Sequence, residues 1–361
     1  MNPTIENLNG TKEKIMREIK TLGDLKERLQ AGFENNEESL EIFGKTYSTQ
    51  LKAYLIESNL PLTDAGCPEG NWRKLDDSVG WYGNIDGDLS NTLFLDSTRE
   101  RVWIIYSLMD ATESDFFMGK WLERKGLDRC WLSRNHLLHW EKKESWSQRG
   151  LGLKFSDGLA QDEENAANFS LKAYYGANKL IKGLDRVLNE AREEFAIYSA
   201  RWQKRTEGEV VLSSEWYSNG KATINRALDV DEALISVAEM ANRYADSLKE
   251  ANELREKTMG AFELDFSQEI DLDAFSKKVA TGTGDMKLWL VETESEDDFR
   301  RFRGVDLHTW DRILMDVGKD FAYITVPGKG CINAAPRIAT LQGEDNAGKT
   351  SIYHDGVEVF A

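Results

Sequence analysis

Between Thr11 and Phe33 the apolar positions recur as Ile15, Ile19, Leu22, Leu25, Leu29 and Phe33, a three-and-four spacing that lays one stripe along a helix. The chain continues as a second predicted helix to about Glu57, where Pro61, Gly66, Pro68 and Gly70 end the pattern. Residues 58–90 read as a loop weighted with Trp72, Trp81 and Tyr82, which predicts that it packs on its neighbour. RVWIIY (101–106) reads as a buried strand, and Thr112-x-x-Asp115 opens a helix through Arg124. LDRCWLS (127–133), RNHLLHWEKK and RGLGLKF follow as strand, short helix and strand, predicting a βαβ-containing unit that closes near Asp157.

The middle of the chain changes period. Ala177, Ile181, Leu184, Leu188, Ala191, Phe195, Tyr198 and Trp202 keep a 3.5-residue spacing, and Leu234, Val237, Ala241, Tyr244, Leu248 and Ala251 repeat it. Two such seams predict an antiparallel helical pair. Between them, Asn219-Gly220 separates two β-prone runs and predicts a hairpin with a type I′ turn. An isolated hairpin is marginal in water, so this one must dock on something.

Beyond Ala261, FELDF and KLWLVE read as strands and DLDAFSKKV as a helix. Ser295-x-x-Asp298 predicts the start of a long helix toward Val317. FAYITV, CINAAPRIATL and SIYHDGVEVF read as strands, the last a hairpin at His354-Asp355-Gly356, and Pro327-Gly328-Lys329-Gly330 as a tight turn. LWLVETESEDDFRRF echoes VWIIYSLMDATESDFF, which raises duplication as one origin for the two ends. The fold class expected is α+β: two small mixed sheet modules, ferredoxin-like or related, bridged by a long antiparallel helical pair carrying a β-hairpin. The boundaries expected are 1–90 for the amino-terminal helices and aromatic loop, 91–160 for the first module, 161–258 for the helical pair with its hairpin, and 259–361 for the last module.

Composition narrows the function classes. Against 46 Lys plus Arg stand 63 Asp plus Glu, a net charge of -17, which disfavours a protein whose main task is to coat nucleic acid or an anionic membrane. The three cysteines, Cys67, Cys130 and Cys331, lie far apart and form no CxxC pair, which fits a reducing cytoplasm. The amino terminus lacks the apolar core of a secretory signal, and no apolar run approaches the roughly 18 residues of a bilayer span. A soluble, cytoplasmic protein is expected.

Three groups of residues could carry chemistry. GEDNAGKT (343–350) satisfies the P-loop pattern, but a P-loop needs a helix after it and an acid on a later strand; the eleven residues after Thr350 read as a hairpin. KLWLVE followed by TESEDD resembles the opening of a Toprim domain, in which a strand-terminal Glu begins a metal-dependent phosphodiester site. The chain departs from that pattern at Thr293, where a small Gly is wanted, and in AYITVPGKG, where an Asp-x-Asp is wanted, so the family is not claimed. Glu292, with Glu263 or Asp265, would still provide carboxylates for Mg or Mn in an enzyme acting on nucleotides or phosphodiesters, if their strands lie side by side. Cys130, His136 and His139 could share a zinc ion, although a fourth ligand would have to come from elsewhere.

Arg300, Arg301 and Arg303 follow a run of acids and read as paired on a solvated face or as an anion contact. Trp216 and Tyr217 beside the hairpin turn are residue types that anchor interfaces. Together these features favour a non-catalytic assembly subunit with a protein partner or a second copy of itself. The alternatives are the metal-dependent enzyme and a nucleic-acid-contacting subunit; no cofactor is expected outside the enzyme reading.

Overall fold

The computed structural model describes Lys26 and Gln30 and residues 51–66, 73–74, 79–82, 93–107, 109–156, 168–174, 190–192, 195–282, 284–346 and 348–361. It is a mixed α/β architecture, mostly strands, with two antiparallel sheets and seven helices among the described residues. Of the predicted amino-terminal helix, Lys26 and Gln30 are helical, and its other residues lie outside the described ones. No described helix is long and apolar enough to cross a membrane.

The first sheet is organised around β1 (Leu51–Ser58), in which all eight residues are buried. It pairs on one side with β5 (Val102–Ser107) and on the other with β11 (Lys221–Ala227) and β6 (Leu127–Arg129). Beyond β5 lie β4 (Leu93–Asp96), β3 (Val79–Tyr82) and β2 (Arg73–Lys74). Beyond β11 come β10 (Glu209–Tyr217), β9 (Ala196–Thr206), β7 (Trp146–Ser156) and β8 (Asn168–Tyr174). Because β5 and β6 both run antiparallel to β1, the α1 helix (Ala111–Leu122) between them closes a split βαβ unit. Its N-cap is Asp110, whose side chain accepts from the Thr112 amide at 2.8 Å.

Tyr54 and Ile56 point into the cluster under α1, with Leu95, Trp103 and Trp121. Ala53 and Leu55 point to the opposite face. There α2 (Val230–Thr258) lies across β5, β10 and β11. Its predicted seam is real: Val237, Ala241, Tyr244, Leu248 and Ala251 are all buried. That seam meets a sheet, not a partner helix. Ala196–Thr206, which carries the end of the other predicted seam, is the strand β9, and Ala177, Ile181, Leu184 and Leu188 lie outside the described residues.

The second sheet runs β13 (Leu288–Glu296), β14 (Phe299–Asp306), β15 (Asp311–Gly318), β16 (Phe321–Thr325), β12 (Phe262–Phe266), β17 (Thr350–His354) and β18 (Val357–Glu358). The helix predicted from Ser295 is instead the β13–β14 hairpin, continued as a meander into β15. The strand predicted over CINAAPRIATL is α4 (Ala334–Asp345), which packs against β7 and β9 of the first sheet and β12 and β17 of the second. The helix α3 (Leu272–Ala280) covers β13 through Phe275, edge-on to Phe302 at 5.7 Å. A continuous core thus runs from β1 through α2 and α4 to the inner face of the second sheet.

The hairpin forms where Asn219-Gly220 places it, but not through the expected type I′ turn: the Gly220 amide donates to the Tyr217 carbonyl at 3.0 Å, and only Gly220 takes a positive φ (+77°). The turn docks on β1, where the Leu55 amide donates to the Gly220 carbonyl at 3.0 Å. A Cβ on Gly220 would stand 2.5 Å from the Cys130 carbonyl oxygen and 3.1 Å from that of Leu55. Gly220→Ala is therefore expected to cost about 2 kcal/mol or more in urea unfolding. An unchanged midpoint would show that this turn does not hold the strands in place.

Candidate functional site

The two sheets meet over buried charge. The end of β1 brings in Glu57, and the residue after the strand end, Asn59, follows it; β6 brings in Asp128. From the second sheet come Asp306 at the end of β14 and His308 in the turn that follows, while Cys331 and Asn333 precede α4 and Arg337 lies in its first turns. A charge inside such a core must be paired or neutralised. Arg337, fully buried, donates to Asp128 Oδ2 at 2.5 Å and to Asp306 Oδ1 at 2.6 Å, so one guanidinium joins a carboxylate from each sheet.

Other groups complete this ion chain. Asn333 donates to Asp128 Oδ2 at 3.0 Å and accepts from the Tyr244 hydroxyl of α2 at 2.5 Å. Lys287 lies 3.5 Å from Asp128 Oδ1 and donates to the carbonyls of Leu122 and Leu127, at the end of α1 and the start of β6. Burial alone would raise the Asp128 pKa, but the charges of Lys287 and Arg337 outweigh it and hold the carboxyl well below its usual range. Against the burial that would lower it, Asp306 and Asp128 raise the Arg337 pKa further, so the pair stays ionised.

A second cluster adjoins the first. Glu57 accepts from Arg101 Nε at 3.0 Å and from Asn59 Nδ2 at 3.1 Å to each oxygen, and its Oε2 lies 3.2 Å from His308 Nε2. Cys331 Sγ is 3.6 Å from Glu57 Oε1 and receives contacts at 3.4 Å from Asn59 and Arg101. Burial first, and then the Glu57 charge, push the Cys331 thiol well up, so it rests protonated. Backbone bonds clamp the same seam: the Gly126 amide donates to the His308 carbonyl at 2.7 Å and the Asn59 amide to the Gly126 carbonyl at 2.8 Å. The turn carrying His308 is thereby fixed to the first sheet.

The residues singled out from the sequence lie elsewhere. Glu292 sits on β13 with Ser276 at 2.8 Å and Arg300 at 3.7 Å, whereas Glu263 and Asp265 are on β12, with β14, β15 and β16 in between. The structure does not bring these carboxylates together. Cys130, His136 and His139 do not converge either. His136 lies between Ser133 at 2.7 Å and Ser247 at 3.3 Å, and His139 pairs with Glu239 at 2.6 Å.

Trp216 is fully buried, 5.2 Å from Trp140 in a group that includes Trp146 and Trp202, so it is core rather than an exposed anchor. Tyr217 lies under the Lys172 ammonium, 4.9 Å from its ring centroid, and burial pushes its phenol up to about 12. Arg300, Arg301 and Arg303 are on a strand, not a helix. Arg300 pairs with Asp273 at 2.9 Å and Arg301 with Glu294 and Asp316, while Arg303 stands exposed beside Val291 and Leu314. GEDNAGKT runs from the end of α4 into β17, so the helix precedes the loop and the phosphate-binding geometry is absent.

The polar centre escaped the sequence reading because its members are scattered from Glu57 to Arg337. One signal was available: Glu57 in LKAYLIES and Asp128 in LDRCWL interrupt runs apolar enough to be buried, and each therefore demands a buried partner.

Two measurements probe these assignments. Arg337→Met strands two buried carboxylates and is expected to cost about 3–5 kcal/mol, part of it recovered when Asp128→Asn and Asp306→Asn are added. A loss below about 1 kcal/mol in chemical denaturation would contradict the pairing. For His136, burial first and the Arg243 charge next push the pKa down to about 3. The unfolded chain takes up that proton near pH 6.5, so the stability from neutral His136 is full above that pH. It is lost as pH falls toward 3, at up to about 1.4 kcal/mol per unit. His136→Gln should flatten the fall in stability between pH 6 and 4; parallel curves for the two proteins would refute the assignment.

Comparison with known proteins adds a family. Uncharacterized protein MJECL33 of Methanocaldococcus jannaschii is 23% identical over 338 residues, spanning 80% of this chain and 82% of that protein. No solved structure matches the chain. Residues 13–343 match the family described as MJECL33-like protein, and the chain belongs to that family.

Proposed function

We propose that the chain is an assembly subunit that docks a partner protein on the outer face of its second sheet. The observation that carries this reading is the composition of that face. Trp289 and Val291 on β13, Leu314 on β15 and Tyr323 on β16 are all large, apolar and exposed, at 41–64% of their surface. Register makes the first three neighbours: Val291 faces Arg303, Arg303 faces Leu314, and Trp289 and Arg312 both face Val305, while Tyr323 borders them beside Asp316 and Glu263. Trp, Tyr and Arg are the residues over-represented where binding energy concentrates.

Charge selects the partner. Arg303 and Arg312 have no carboxylate partner among the described residues, unlike Arg300 and Arg301, so this is a basic and apolar patch on a chain of net charge -17. Such a patch suits a protein surface with apolar side chains set among carboxylates, and it disfavours a second copy of the same face. Two unpaired arginines are too few for a nucleic-acid track, and the overall charge opposes one. β13 is also a sheet edge, so an extended segment of the partner could add to it while reaching Trp289 and Val291. The buried free thiols Cys130 and Cys331 support a cytoplasmic setting.

Affinity purification of the full chain from its native host should recover a stoichiometric partner. The combined substitutions Trp289→Ala and Leu314→Glu should remove it by more than about tenfold without lowering the thermal midpoint, because both side chains are outside the core. A solitary monomer, a partner retained by the variant, or nucleic acid released steeply by salt would each overturn the proposal.

A further inference from the structure

Glu57, His308 and Cys331 are the only described residues that gather three groups able to hold a metal ion, with their ligand atoms all within 4.8 Å of one another and all three side chains buried. We propose that this triple is a zinc site that clips the two sheets together.

The spacing fits the ion. A tetrahedral site with bonds of about 2.0–2.3 Å has ligand-to-ligand edges of about 3.3–3.8 Å. Cys331 Sγ to Glu57 Oε1 is 3.6 Å and His308 Nε2 to Glu57 Oε2 is 3.2 Å. Thiolate, imidazole and carboxylate are together a donor set for zinc rather than for magnesium or calcium, which prefer oxygen alone.

The three acceptors already converge on donors standing where a cation would. Asn59 Nδ2 is 3.1 Å from both Glu57 oxygens and 3.4 Å from both His308 Nε2 and Cys331 Sγ. The Arg101 guanidinium contacts Glu57 and Cys331 from the solvent side, and its side chain is 41% exposed. It can therefore swing out and open the route by which the ion arrives. Rotation of the Asn59 amide then presents its oxygen, or admits a water, as the fourth ligand.

His308 presents Nε2 to the cluster, 3.2 Å from Glu57 Oε2, so Nε2 is the ligating nitrogen and its bond to zinc fixes the proton on Nδ1.

Charge and proton balance close. Zn²⁺ with one thiolate and one carboxylate sums to zero, as Glu57 with Arg101 does now. Binding releases the Cys331 proton to solvent, and Arg101 leaves with its own charge. Because the ligands come from β1, from the turn between β14 and β15, and from the loop before α4, the ion would tie the first sheet to the second.

The test uses the full chain, stripped with chelator, and zinc or cobalt alone as probe. About one zinc per chain should bind, the thermal midpoint should rise with zinc concentration, and cobalt should produce a thiolate-to-metal charge-transfer band. Cys331→Ser should bind at least tenfold more weakly and lose the cobalt band, while Cys130→Ala keeps both. The cobalt spectrum of the unmutated chain decides the matter even if Cys331→Ser fails to fold. Folded protein that takes up no zinc, a cobalt complex without the thiolate band, or full binding by a folded Cys331→Ser would overturn the proposal.

Discussion

Arg337 cannot be buried between the sheets without both of its carboxylates, and neither Asp128 nor Asp306 can be buried without it. Taking any of the three charges out of water alone costs several kcal/mol. The guanidinium meets that cost only when β6 and the end of β14 arrive together, one carboxylate from each. This makes the ion chain conditional on the packing of both sheets, with α4 as the carrier of the shared cation. Apolar burial supplies most of the stabilisation across the interface. The charges restrict how the sheets can be arranged, because a shifted register would strand a carboxylate in the core.

The neighbouring groups reinforce the same junction through different chemistry. Tyr244 of α2 reaches Asn333, which in turn reaches Asp128, so the long helix is tied to the chain as well. Lys287 holds the carbonyls of Leu122 and Leu127, where a cation also complements the carboxyl end of α1. Glu57, Arg101, His308 and Cys331 extend the polar seam toward solvent. An interior this polar, built from side chains of seven segments, marks the place where the two halves of the chain become one body. The outer face of the second sheet, by contrast, contributes little to that union, which leaves its tryptophan and arginines available for the proposed partner.

Much of the local structure could be read directly. RVWIIY, RGLGLKF, FELDF and both hairpins at Asn219-Gly220 and His354-Asp355-Gly356 form where periodicity and turn chemistry place them. The misreadings share a cause in tertiary context. LKAYLIES is buried on both faces between α1 and α2, so it lacks the alternation of a half-exposed strand and continues a helical pattern. Ser295-x-x-Asp298 resembles a cap, yet Asp297 and Asp298 form the β13–β14 turn, a role polar residues fill equally well. CINAAPRIATL has small residues because α4 passes close between two sheets, and those residues look neither helical nor strand-like in isolation. The polar centre could not be read at all as a unit, since spacing carries no information about which buried charge meets which across nearly three hundred residues.

If the Arg337 ion chain locks the sheets together, the two should lose protection as one unit. Hydrogen exchange followed by mass spectrometry, over a series of urea concentrations below the unfolding midpoint, measures this directly. Amides of β1, β5 and β11 should open with the same free energy and denaturant dependence as those of β12 and β16. A second sheet that exchanges through its own, lower-energy opening while β1 stays protected would contradict the central role given to the buried charge.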